Sequence, residues 1–126
     1  MQTLTKAERL RSRKLISLLF NEGSSIVATP ILMQWLLAEN SDGSPLQFGV
    51  SVPKKKFKRA VDRNRLKRQM REAVRKNKLE VKNILLKKNK PCAMMFVFTG
   101  REKAEYKIIE EKIILILQRF ISEIEK

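Results

Sequence analysis

Apolar residues fall along this chain in blocks whose period changes from helical to extended and back. Residues 12–22 place Leu15, Ile16, Leu18, Leu19 and Phe20 on a broad helical surface. Ser12 stands where it caps the N-terminus, and Gly23 stands where a left-handed stop is expected. Residues 31–38 are aliphatic enough to predict a strand, preceded by a short extended piece near Pro30. The run Asn40, Ser41, Asp42, Gly43, Ser44, Pro45 predicts a turn. Residues 46–52 then alternate, with Leu46, Phe48, Val50 and Val52 on one face and Gln47, Gly49 and Ser51 on the other. Two strands around one turn predict an antiparallel hairpin. Residues 58–77 suit a helix with Leu66, Met70, Ala73, Val74 and Asn77 along one stripe, and residues 79–88 suit a short helix or its continuation. Residues 91–99 are apolar almost throughout, as in a strand buried on both faces, and Gly100 ends them. Residues 105–125 predict a long helix with Ile109, Ile113, Ile116, Leu117, Phe120 and Ile124 inward. The order α-β-β-α-(α)-β-α describes an α+β sandwich, one domain over residues 1–126.

Charge turns this scaffold into a binding surface. The 126 residues carry a net charge of +15. Between positions 54 and 76 twelve residues are Lys or Arg, against only Asp62 and Glu72. Positions 15–53 hold no Lys or Arg at all, and positions 101–126 balance six against six. One basic surface on a neutral body needs an anionic partner, and nucleic acid is the usual one. Arginine adds a planar fork that grips phosphate and stacks on bases. On the basic helix Asn64, Arg65, Arg68, Arg71 and Arg75 fall largely opposite the apolar stripe.

Side-chain chemistry excludes most catalysis. The chain has no His, so the commonest general base and metal ligand are missing. Acidic residues are scattered, the four glycines are far apart, and Cys92 is alone. A binder without catalytic residues, metal ligands or a bound cofactor is expected. With no signal-type segment and no apolar run near membrane-spanning length, a soluble cytoplasmic protein without membrane contacts is expected.

The stretch Ser51-Val52-Pro53-Lys54-Lys55, then Arg59-Ala60-Val61, then Arg63-Asn64-Arg65-x-Lys67-Arg68-x-x-Arg71-Glu72 closely resembles the signature of the bacterial ribonuclease P protein subunit. Upstream, Arg9-Leu10 and then Phe20 and Gly23 stand where that family has R-L and F-x-x-G. The resemblance implies an α-β sandwich with a left-handed β-α-β crossover, against the common rule. It also implies the small subunit of a ribonucleoprotein that removes the 5′ leader from precursor transfer RNA. Its RNA subunit is catalytic and holds the magnesium ions, so the protein alone is inactive. Carried over by residue, Lys54, Lys55, Arg63, Asn64, Arg65, Lys67, Arg68 and Arg71 contact the RNA subunit or the nearby leader. Ile16, Phe20, Ser51 and either Gln34 or Trp35 line a leader cleft between the first helix and the sheet. Ile16 stands where many members have an aromatic, and Gln34 where the family often has a Tyr. Pro53 replaces a small residue.

Plainer roles compete at several positions. Arg63 lies near Leu66 and Met70 on the helical wheel and also suits anchoring of the helix start. Asn64 suits a local backbone cap as well as an RNA contact. Phe20 and Trp35 suit the core, though the family pattern places Phe20 in the cleft. Phe57 reads as a packing anchor, and Cys92, Met94 and Met95 as core. A ribosomal or architectural RNA-binding protein without a leader cleft is the alternative function. A DNA-binding regulator is disfavoured, because the apolar stripe docks the basic helix and no dimerisation heptad accompanies it.

Overall fold

The computed structural model describes residues 8–40 and 43–126. Its elements are α1 (Arg13–Glu22), β1 (Ser24–Ala28), β2 (Ile31–Leu37), β3 (Leu46–Ser51), α2 (Ala60–Asn77), α3 (Leu79–Lys88), β4 (Cys92–Phe98) and α4 (Tyr106–Ile124). The α+β class matches expectation, with one more strand than predicted. Ser41 and Asp42 of the predicted turn lie outside the described residues.

The sheet has the order β1-β2-β4-β3. The expected hairpin between β2 and β3 is therefore not formed. β4 lies between them, antiparallel to β2 and parallel to β3. The physical reason is the composition of β4, in which every residue but Val97 is buried. A strand apolar on both faces belongs in the middle of a sheet. The hairpin that does form joins β1 to β2, with Ala28 opposite Ile31. Its first strand, Ser24–Ala28, is short and half polar, which hid it from pattern reading.

Register sorts side chains between two layers. Ile31, Met33 and Trp35 join Met94, Phe96 and Phe98 and also Leu46 and Phe48 in the larger core. Helices α2, α3 and α4 cover that face with the predicted stripes, buried at Leu66, Met70, Ala73 and Val74 and at Ile109, Ile113, Ile116, Leu117, Phe120 and Ile124. Asn77 fastens α2 to α4, its Nδ2 donating to Ala73 O at 2.7 Å and to Glu110 Oε2 at 3.1 Å. On the opposite face Leu19, Leu15 and Ile16 of α1 pack with Leu10 on Ala93, Met95, Leu36 and Val97. On edge strand β1 the Val27 carbonyl accepts from Arg119 Nη1 of α4 at 2.8 Å.

Ser12 caps α1 as expected, accepting from Leu15 N–H at 3.2 Å. Gly23 ends α1 for a different reason than predicted. Its φ of −68° is ordinary, not left-handed. What excludes a side chain is space, since a Cβ there would overlap the Leu19 carbonyl oxygen and lie 3.2 Å from that of Trp35. Both obstacles are backbone and cannot swing away. Gly23→Ala should therefore lower stability by about 1–3 kcal/mol, the usual cost of overpacking, as read from urea unfolding.

Cys92 is buried in the larger core, and burial pushes its thiol from 9.0 up to about 12. A thiol reagent at pH 8 should leave native protein unlabelled and label it on unfolding. A raised folded pKa means that the unfolded state loses this proton first. Stability from this group should thus fall as pH rises from about 9 towards 12, checked by denaturation at successive pH values.

Candidate nucleic-acid interface

The basic helix is held by its apolar stripe, and this leaves the opposite face to solvent. Arg65, Arg68 and Arg71 are exposed and Lys67 is half-buried. None of the four makes an ion pair or hydrogen bond among the described residues. Their neighbours differ. Arg75 donates through Nε to Glu72 at 3.0 Å, and Lys76 lies 5.5 Å from the centre of the Tyr106 ring. The hydrogen bond from Arg75 holds the Glu72 carboxyl below its usual range. Lys103, 3.0 Å away, does the same for Asp62, with Arg59 and Arg65 adding to it. Both acids of the basic run are thus ionised and matched to a local cation. Within the basic run, the arginines free to meet a ligand are Arg65, Arg68 and Arg71.

Arg63 is the anchor that its wheel position suggested. Its Nη1 donates to the carbonyls of Phe57 at 2.7 Å and Lys58 at 2.8 Å, fixing the loop before α2. Phe57 pins the same loop from inside, its ring edge-on to Phe98 at 5.7 Å. Lys56 closes it across the surface through a 2.6 Å bond to Thr99 O. Lys54 and Lys55 are exposed on the turn so formed. Asn64 lies inside α2, exposed, and makes no backbone cap: the capping position is Arg59.

Sheet register decides which of the residues predicted for the cleft share the face that carries α1. Gln34 pairs with Met95 and with Ser25, on the face that carries α1. Ser51, paired with Val97, shares that face. Trp35 does not: it packs in the larger core with its ring edge-on to Phe120 at 5.0 Å. Trp35 therefore lies on the sheet face away from α1, because successive strand residues point to opposite faces. Gln34 Oε1 is buried without a hydrogen-bond partner on the cleft side. Ile16 lines a cavity of about 460 Å³, and Phe20, one helical turn on, is 46% exposed, which excludes it from the core.

That cavity joins the two predicted regions. Arg71 of the basic helix and Ile16 of α1 both line it, together with Gly49, Met95, Arg9 and Arg11. Arg9, Arg11, Gly49 and Met95 were not foreseen as site residues. They meet because two distant segments flank β3, β4 on one side and the strand at Arg9 and Leu10 on the other, neither with a local signal. Among the described residues no three His, Cys, Asp or Glu side chains are grouped to hold a metal ion, and no helix is long and apolar enough to cross a membrane.

The sequence profile of the ribonuclease P family matches residues 4–120. The chain belongs to the ribonuclease P protein family. The ribonuclease P protein component of Porphyromonas gingivalis is 35% identical over 107 residues, covering 85% of this chain and 78% of that protein. That of Thermotoga sp. (strain RQ2) is 34% identical over 122 residues, covering 94% and 96%. The solved ribonuclease P protein of Thermotoga maritima superposes with a TM-score of 0.67 at 25% identity, over 89% of this chain and 96% of that one. The Staphylococcus aureus protein, at 19% identity, shares the fold with a TM-score of 0.66, over 90% of this chain and 95% of that one. Membership in the ribonuclease P family implies an RNA partner, and the unpaired face of α2 is the surface with the charge to meet one.

The two aromatics predicted for the cleft should now behave in opposite ways. Trp35→Ala should cost about 3–5 kcal/mol of stability, as for a large core side chain. Phe20→Ala should change stability by no more than about 0.5 kcal/mol, as for an exposed position. Thermal melting of the two variants separates them.

Proposed function

We propose that this chain is the protein subunit of a ribonuclease P ribonucleoprotein that removes the 5′ leader from precursor transfer RNA. The RNA subunit performs the chemistry and holds magnesium ions among its phosphates. The protein binds that RNA through the outward face of α2 and the turn carrying Lys54 and Lys55. It binds the leader along the face of the sheet beside α1, over Ile16, Phe20, Gln34 and Ser51. The setting is the cytoplasm, with neither DNA nor membrane as partner.

One observation supports this reading above the others: the unpaired arginines of α2 and the apolar wall of α1 border the same cavity, through Arg71 and Ile16. A phosphate-binding face that runs into an apolar platform suits a single strand whose bases are splayed from its backbone. A ribosomal or architectural protein needs the charge but not the platform. Phe20, 46% exposed, then offers a stacking surface.

Reconstitution tests the proposal. RNA-free protein should leave precursor transfer RNA intact, and adding the cognate RNA subunit should restore 5′ processing. Binding to the RNA subunit should weaken steeply with salt, each phosphate contact adding roughly −0.7 to −0.9 to the slope of log affinity against log salt. Arg65→Ala with Arg68→Ala should weaken binding and flatten that slope by about one to two. Cleavage by rigorously RNA-free protein would refute the division of labour, and an unchanged slope would remove these arginines from the interface.

A further inference from the structure

Glu8 is fully buried in a protein whose acids are otherwise at least partly exposed among the described residues. Its carboxylate sits between two ammonium groups, with Lys78 Nζ 2.6 Å from Oε1 and Lys82 Nζ 3.0 Å from Oε2. Lys78 is itself only 4% exposed and forms the junction between α2 and α3. The triad thus ties the chain ahead of α1 to a helix pair 70 residues away in sequence. The next two residues continue the attachment along the outer edge of β3. Arg9 makes a parallel bridge with Phe48, and Leu10 N–H donates to the Phe48 carbonyl at 3.0 Å. Taking the Glu8 and Lys78 charges out of water is expensive, so this ion cluster is weak evidence for stability, and the best-attested use of such clusters is to fix a register.

What is fixed here is the position of two arginines. Arg9 and Arg11, carried by this strap, line the 460 Å³ cavity together with Arg71, over a surface made by Ile16, Gly49 and Met95. A cavity of that volume suits a small ligand. Guanidinium forks beside flat apolar side chains match one nucleotide, phosphate at the forks and base on the apolar wall. Gly49 keeps the floor low: a Cβ there would come within 3.1 Å of the Met95 methyl and 3.6 Å of Leu10 Cβ.

We infer that Glu8 is a positioning residue: clamped by Lys78 and Lys82, it straps residues 8–12 along β3 so that Arg9 and Arg11 join Arg71 in holding one nucleotide of single-stranded RNA. The inference rests on the proposed function for the presence of RNA. Two sources share this chemistry, the precursor leader and a single-stranded stretch of the RNA subunit.

The test compares wild type, Glu8→Gln, Glu8→Asp, the pair Arg9→Gln/Arg11→Gln, and that pair combined with Glu8→Gln. One arm measures affinity for the RNA subunit alone. The other measures affinity of the assembled complex for precursor transfer RNA, and the arm that moves names the source. The arginine pair should weaken that arm about tenfold or more. The loss should exceed that of Lys87→Gln/Lys88→Gln, which removes the same charge from α3. Glu8→Gln should weaken the same arm, although losing an acid raises the net charge and would by itself tighten RNA binding. Added to the arginine pair it should cost little more, because both act on one contact, and Glu8→Asp should recover most of the affinity. Glu8→Gln leaves two lysines without their carboxylate, so its melting is recorded. If it is unfolded at the assay temperature, the exposed arginine pair decides. An arginine pair no weaker than the lysine control, a folded Glu8→Gln that binds as well as wild type or better, or losses that simply add would overturn the inference. Stimulation by wild type with a silent arginine pair overturns this inference alone, whereas a wild-type chain that binds neither RNA overturns the proposed function with it.

Discussion

A strand with apolar side chains on both faces must be covered twice, and β4 is such a strand. Placing Cys92–Phe98 inside the sheet satisfies its backbone groups on both sides through β2 and β3. It also obliges two separate layers of helix to form. Met94, Phe96 and Phe98 call for the large layer of α2, α3 and α4, while Ala93, Met95 and Val97 call for α1. The two layers are unequal, and the site depends on that inequality. Ten residues of α1 cannot cover the whole second face, so Ser51, Leu32 and Val97 remain partly open beside it.

The same constraint explains how so much positive charge is tolerated on one helix. α2 is amphipathic, and its fixed stripe holds like charges together against their mutual repulsion. Local acids relieve the repulsion at the ends, with Asp62 against Lys103 and Glu72 against Arg75. The middle of the helix, from Lys67 to Arg71, has no such relief. Its unneutralised charge is stored as electrostatic potential, which a polyanion lowers on binding.

Features set by neighbours in sequence were legible before the fold was known. The stripes of α2 and α4, the Ser12 cap and the buried character of β4 all follow from local pattern, and the structure agrees with each. The family signature marked the basic helix and the approximate cleft. Strand order was not legible, because pairing of β4 with β3 joins segments more than forty residues apart. Non-local pairing likewise hid Met95, which β4 brings in, and Arg9 and Arg11, which the strap along β3 brings to Gly49. The choice between Gln34 and Trp35 had a related cause. Alternation divides a strand into two faces, but both faces of β2 are mainly apolar, so nothing local says which one lies under α1. Gly23 shows a third kind of limit: the sequence signals a required glycine without revealing whether φ or free space requires it.

Arg119 and the strap at residues 8–12 attach to opposite ends of the sheet order. One engages the Val27 carbonyl on edge strand β1, and the other lies along edge strand β3 through Arg9 and Leu10. An exposed strand edge invites pairing with a second chain, and such pairing can grow into aggregates. Here each edge meets a basic side chain or a peptide segment of the same molecule. A protein made apart from its polyanionic partner spends time without it, and both sheet margins carry a guard against sticking to copies of themselves.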